Sequence, residues 1–229
     1  MDVKLVVLGG KHPGPFVVRA GGTPAFYNDF DDQVRASLPA VAGFVIAAML
    51  ITLFAAFRSY LLPLKAVAMN LLTVAAGYGA VVAVFQFGWF GALFGLERPF
   101  PCIPLTVPLM VFCFSFGISM DYEVFLLSAI KREYRRSGNC AQATIEALIS
   151  TGPVITGAAL IMAVVFGAFA GADVAMLQMI GLGLAVSVLV DATLVRLALV
   201  PALMVIAGRW NWYPGVVLGG SQGERLPTP

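Results

Sequence analysis

Two short groups of charged residues stand where a chain this apolar should have none. Asp121, Tyr122 and Glu123 lie together inside one hydrophobic run, and Asp191 and Arg196 lie five apart inside another. Counting back from Lys131, the first charged residue of the next loop, Asp121 comes ten positions earlier. That is roughly 15 Å of helix, or the middle of a ~30 Å hydrocarbon layer. A carboxylate at that depth costs about 2.5–3.5 kcal/mol on insertion scales, so it marks a proton or ion site facing a bundle interior or a water-filled cavity. The competing expectation is a protonated Asp121 that only hydrogen-bonds a neighbouring helix, worth about 1 kcal/mol or less. Tyr122 can donate or accept a hydrogen bond, but adjacent helical residues point about 100° apart. Each of the pair is therefore expected to meet a different group. Glu123 lies about 200° around from Asp121, facing another helix or reaching toward water, as a relay member or as a paired or snorkelling carboxyl.

Asp191 and Arg196 pose a second question. Starting from Asp173 at one surface, Asp191 is about 27 Å along the helix, and Arg196 falls close to the far interface. Arg196 is expected to act as an interfacial anchor. A spacing of five puts it about 140° from Asp191 on an α-helix, which is poor geometry for an ion pair, so Asp191 is expected to find its partner on another helix. A relay role for the two stays open. Asn70, Thr156, Gln86 and Gln178 read as packing or interface residues.

The elements that hold these groups follow from the apolar runs. Of 229 residues, 60% are hydrophobic and 11% charged, too little polar surface for a water-soluble globule. Runs long enough to cross a bilayer lie near Ala40 to Phe57, Leu64 to Phe87, Pro104 to Ile130, Pro153 to Ala170 and Val174 to Ala207. The expected fold is an all-α polytopic membrane protein whose five-helix bundle occupies residues 37–210, in contact with the lipid bilayer. Pro153 is expected at the first position of the fourth span, and Pro201 is expected to end or kink the fifth. Arg58 and Lys65 flank the first connection, Lys131, Arg132, Arg135 and Arg136 crowd the third, and Arg209 follows the last span. Basic loops remain cytoplasmic, which predicts an external N-terminus and a cytoplasmic C-terminus.

Residues 1–36 read as an extracytoplasmic segment with one short strand near Phe16 to Gly22, and residues 211–229 as a disordered cytoplasmic tail. The run from Leu5 to Leu8 is too short for a signal-peptide core. Cys102, Cys113 and Cys140 are too dispersed for a disulfide framework or a metal site, and His12 is expected to be a solvated loop residue. A net charge of +2 without a basic run argues against nucleic-acid binding. No nucleophile with a base, metal cluster or phosphate-binding glycine loop is apparent, so neither an enzyme nor a cofactor is expected.

Several segments resemble one family. GISMDYEVFLLSAIKREY at Gly117 to Tyr134, TGPVITGAALIMAVVFGAF at Thr151 to Phe169 and GLGLAVSVLVDATLVRLALVPALM at Gly181 to Met204 look like the C-terminal membrane half of an MMPL-type transporter of the resistance-nodulation-division superfamily. FRSYLLPLKAVAMNLL at Phe57 to Leu72 and GRWNWYP at Gly208 to Pro214 agree in order and spacing. The resemblance implies proton-driven export of lipids or other hydrophobic compounds across a bacterial inner membrane. It also implies two pseudo-symmetric halves, each with a porter domain and an Asp-Tyr pair that meets its counterpart at the centre. Asp121 and Tyr122 match the C-terminal pair, and Asp191 and Arg196 match an Asp-Ala-Thr-x-x-Arg pattern in the last helix. One pair cannot complete that relay, so a second polypeptide or a second copy of this chain is expected to supply the other. The alternatives are a non-transporting fragment, a scaffold or a lipid-sensing bundle.

Overall fold

The computed structural model describes residues 23–96 and 98–212. The strand expected near Phe16 to Gly22 and the tail beyond residue 212 lie outside them. Five helices among the described residues are long and apolar enough to cross a membrane. They are α1 (Thr23–Phe57), α2 (Leu61–Val81, prolonged by a π-turn Val82–Gln86), α3 (Thr106–Ser137), α4 (Cys140–Ala170) and a last rod. The rod is built of α5 (Ala175–Val190), a π-helical segment Asp191–Leu199 and α6 (Val200–Ala207), and a 3-10 turn Gly208–Trp212 closes it.

Five spanning helices are present, as expected, but two boundaries differ for identifiable reasons. Helix α1 begins at Thr23 rather than near Ala40. Apolarity locates the part of a helix that lies in lipid, whereas backbone hydrogen bonding carries the helix on through Asp29, Asp31, Asp32 and Arg35 into the polar phase. Helix α4 begins at Cys140, so Pro153 lies inside it instead of opening it. Asn139 caps its first turn, its side-chain oxygen accepting from the amides of Ala141 (3.0 Å) and Gln142 (3.2 Å). One turn before Pro153, the hydroxyls of Ser150 and Thr151 donate back to the Ala147 carbonyl at 3.0 and 2.7 Å. The last rod ends at Ala207, where the apolar run ends, and Pro201 does not end it earlier, the widened π-turns just before it making room for a ring that a regular α-turn would clash with.

Packing is closest where glycines remove the side chain. A Cβ on Gly181 would sit 2.6 Å from the Ala170 amide nitrogen and 2.7 Å from the Phe166 carbonyl, so α5 meets α4 backbone to backbone. On the other side, a Cβ on Gly77 of α2 would overlap the Ser187 hydroxyl and the Gly183 carbonyl of α5. Small residues allow this approach in lipid, where dispersion and hydrogen bonds hold helices together because water does not expel their apolar faces.

The core divides into two apolar clusters. One, at the end bearing the basic connections, includes Leu53, Ala66, Met69, Leu126, Ile130 and Met204. The other includes Val81, Phe85, Val107, Val111, Met179 and Leu184. Along α2, α3 and the last rod, the residues between the clusters are polar and buried: Asn70 and Thr73, Ser115 and Ser119, Ser187 and Asp191. This polar layer is the only place among the described residues where three helices bring buried hydrogen-bonding side chains together.

Candidate functional site

The centre of the layer is an ion pair within a single helix. Arg196 donates from Nε (2.9 Å) and Nη2 (2.7 Å) to Asp191 Oδ2. The residues are 4% and 7% exposed. Both expectations for them are thereby corrected: Arg196 is not an interfacial anchor, and Asp191 does not look to another helix for its countercharge. The backbone explains why. Asp191–Leu199 is π-helical, and its i→i+5 bonding brings residues five apart onto one face, which the α-helical turn does not.

Neighbouring helices complete the coordination. Arg196 Nη2 also donates to the Ser119 carbonyl of α3 at 3.0 Å. The Ser119 hydroxyl lies 2.6 Å from Asn70 Oδ1 and 3.2 Å from Asp191 Oδ1, and with one hydrogen it donates to one of them at a time. Asn70, expected as a packing residue, is thus joined to the pair through Ser119. The guanidinium lies 5.0 Å from the centre of the Tyr122 ring, a cation–π contact. Arg196 Nη1 is buried and has no hydrogen-bond partner among the described residues.

The three consecutive residues of α3 therefore face three ways. Tyr122 turns toward Arg196, and Glu123 lines a cavity of about 10 Å³ together with Asn70, Ser119, Asp191 and Arg196. Asp121, expected to face the bundle interior or a water-filled cavity, is instead exposed on the outside of the bundle. It stands in a stripe of exposed α3 residues, Met110, Phe114, Gly117, Asp121 and Phe125, at the level of the polar layer. The separation of Asp121 from Tyr122 follows the 100° step expected of helical neighbours.

A second polar group lies at the basic end. Lys65 Nζ donates to the Leu203 carbonyl (2.9 Å) and to Asn211 Oδ1 (2.7 Å). Asn211 Nδ2 donates to the carbonyls of Met204 and Gly208, and the Ser59 hydroxyl donates to the Asn211 carbonyl at 2.6 Å. Asn211 is fully buried, so the tail does not begin there as expected from composition. Nothing in the local sequence signals this group, because its members come from positions as far apart as 59 and 211.

The arrangement of an outward carboxylate and a buried Asp-Arg pair on two apolar helices coincides with a sequence relationship. The MMPL family profile matches residues 3–218. The chain belongs to the MMPL family. It is 44% identical over 205 residues to the "Heme uptake protein MmpL11" of Mycobacterium tuberculosis, covering 87% of this chain and 20% of that protein. It is 41% identical over 196 residues to the "Mycolic acid-containing lipids exporter MmpL11" of Mycolicibacterium smegmatis, covering 86% and 20%. To the "Trehalose monomycolate exporter MmpL3" of Mycobacterium tuberculosis it is 36% identical over 203 residues, covering 88% and 21%. The chain thus spans about a fifth of the length of these MMPL relatives.

Proposed function

We propose that this chain is the membrane-embedded, proton-carrying part of an MMPL-type exporter of lipids or other hydrophobic compounds, with its basic end in the cytoplasm of a bacterial cell. The observation that carries the reading is the position of Asp121. A carboxylate on a stripe bounded by Phe114 and Phe125 at mid-bundle is not stable against lipid. A partner surface with a complementary polar group removes that cost and makes the carboxyl a proton-binding station at an interface. The partner is a second polypeptide carrying the other half of the bundle, or a second copy of this chain. Tyr122, held by Arg196, orients the facing carboxylate, and Asp191 fixes Arg196 in place. A hydrophobic cargo fits an apolar surface cavity of about 380 Å³ lined by Leu38, Leu71, Val74, Tyr78, Pro108 and Phe112.

Proton flux is the test. The chain is purified in mild detergent from its own host with whatever it is bound to, its mass and stoichiometry are determined, and the assembly is reconstituted into vesicles holding a pH-sensitive dye. An imposed gradient is expected to drive proton entry with the wild-type chain and only background entry with Asp121→Asn. Equal flux in the two overturns the reading.

A further inference from the structure

Two small cavities lie in series along the inside of the bundle, and they share a wall. The first is the one beside Asp191 and Arg196; the second, also about 10 Å³, lies toward the basic end and is lined by Lys65, Leu62, Leu203 and Met204 among others. Each is at the lower limit for one ordered water. Four residues line both: Met69, Glu123, Leu127 and Val200. Glu123 is the only one of the four with an ionisable side chain, so its carboxyl is the one group that can exchange a proton with both water-sized spaces.

The charges around it are few. Lys65 comes from α2, Asp191 and Arg196 from the last rod, and no residue of α1 or α4 lines either cavity. On α3 itself, Tyr122 is turned to the guanidinium and Asp121 to the exterior. Glu123 shares the first cavity with Asp191 and Arg196 and the second with Lys65. The unpartnered Arg196 Nη1 belongs to a side chain in the same cavity wall as Glu123. A buried guanidinium N–H needs an acceptor, and an ionised Glu123 in that cavity can supply one.

We propose that Glu123 is a proton-exchange group that connects the buried Asp191–Arg196 site to the basic end of the bundle, with Lys65 at the mouth of the path. A proton leaves the Glu123 carboxyl for water in the cavity beside Lys65, and the carboxylate so formed accepts from Arg196 Nη1. A proton arriving through water beside Ser119 and Asp191 restores the acid and frees Nη1 again. Arg196 and Lys65 stay cationic throughout, and no other covalent bond changes. This assignment rests on the proton-driven reading of the chain and adds to it the route by which protons reach the basic side.

Infrared difference spectroscopy tests it on the full chain in lipid nanodiscs. Acid-minus-base spectra are expected to contain a carboxylic acid C=O band that disappears in Glu123→Gln, moves in Glu123→Asp and persists in Asp121→Asn. Leu203→Trp, which fills the second cavity without removing a polar group, is expected to slow deuterium exchange of that band. A Glu123→Gln spectrum identical to wild type overturns the assignment, as does unaltered exchange in Leu203→Trp. If Glu123→Gln does not accumulate as folded protein, Glu123→Asp decides: a moved band supports the assignment and an unmoved one overturns it. The two readings fail separately. A titrating Glu123 band in a chain whose proton flux ignores Asp121→Asn removes the transport reading, whereas Asp121-dependent flux without a Glu123 band removes this one.

Discussion

Arg196 closes onto Asp191 along its own helix, Nη2 to Oδ2 at 2.7 Å, across a separation of five residues. On a regular α-helix the two side chains would diverge; the π-turns bring them together. The contact is made in the polar layer between two apolar clusters, where both ions are buried away from bulk water. The pair therefore behaves as one unit that both anchors α3, through the Ser119 carbonyl, and holds a cation under the Tyr122 ring.

Removing one partner should be far more damaging than removing both. Asp191→Ala leaves a buried guanidinium without its main acceptor and is expected to destabilise the chain by about 3–5 kcal/mol. Asp191→Leu combined with Arg196→Met replaces the pair by apolar groups and should recover most of that loss, because the desolvation of both ions is removed with their attraction. Unfolding curves in detergent for the two variants check this, and a double variant as unstable as the single one would contradict it.

Tyr122 contributes a ring and a hydroxyl, and these separate by substitution. Tyr122→Leu removes the ring from the guanidinium and is expected to lower stability by about 0.5–2 kcal/mol. Tyr122→Phe keeps the ring and should unfold like wild type. If the hydroxyl orients the partner carboxylate, Tyr122→Phe nevertheless loses proton-coupled transport in the vesicle assay. Full transport in that variant would confine Tyr122 to positioning Arg196.

Asn211 ties the end of the chain's last described turn to α2 and α6. Its amide donates to the carbonyls of Met204 and Gly208 while its oxygen accepts from Lys65. Asn211→Ala leaves these groups without their partner at a fully buried site and is expected to cost about 1–3 kcal/mol. Limited proteolysis should then cut near Gly208 in the variant and spare wild type; equal protection would show that packing alone holds the turn.

How much of this was legible in the sequence depended on whether the signal was local. The five spans were visible because each apolar run is at least 18 residues long, the length that marks a spanning helix, and the Asp121-Tyr122-Glu123 group stood out because its members are polar in a helix otherwise meant for lipid. The start of α4 was not visible, since Pro153 imitates a first-turn proline and the polar stretch before it imitates a loop. The Asp191–Arg196 contact was hidden by the assumption of a uniform 3.6-residue turn. Ser119 and Ser187 were hidden for another reason: a hydroxyl is inconspicuous in a membrane helix, and only the neighbours across the layer show its use. The Lys65–Asn211 bond joins residues 146 positions apart and leaves no trace in either neighbourhood.

The backbone contact between α4 and α5 gives a prediction that involves no polar group at all. A Cβ on Gly181 would lie 2.6–2.7 Å from Ala170 N, Phe166 O and Phe169 Cβ. Two of those three atoms are backbone, which cannot rotate away as the end of a side chain can, so the helices themselves must part. Gly181→Ala is expected to destabilise the chain by about 1–3 kcal/mol, the usual cost of overpacking. Gly157 of α4 has open space where its Cβ would be, and Gly157→Ala should be neutral or slightly stabilising because alanine is the better helix former. Comparing the two variants by thermal unfolding separates helix propensity from helix contact: equal effects would mean that α4 and α5 do not approach at Gly181. Parting them there also moves the rod that carries Asp191 and Arg196, so Gly181→Ala should weaken proton flux without touching a titratable residue.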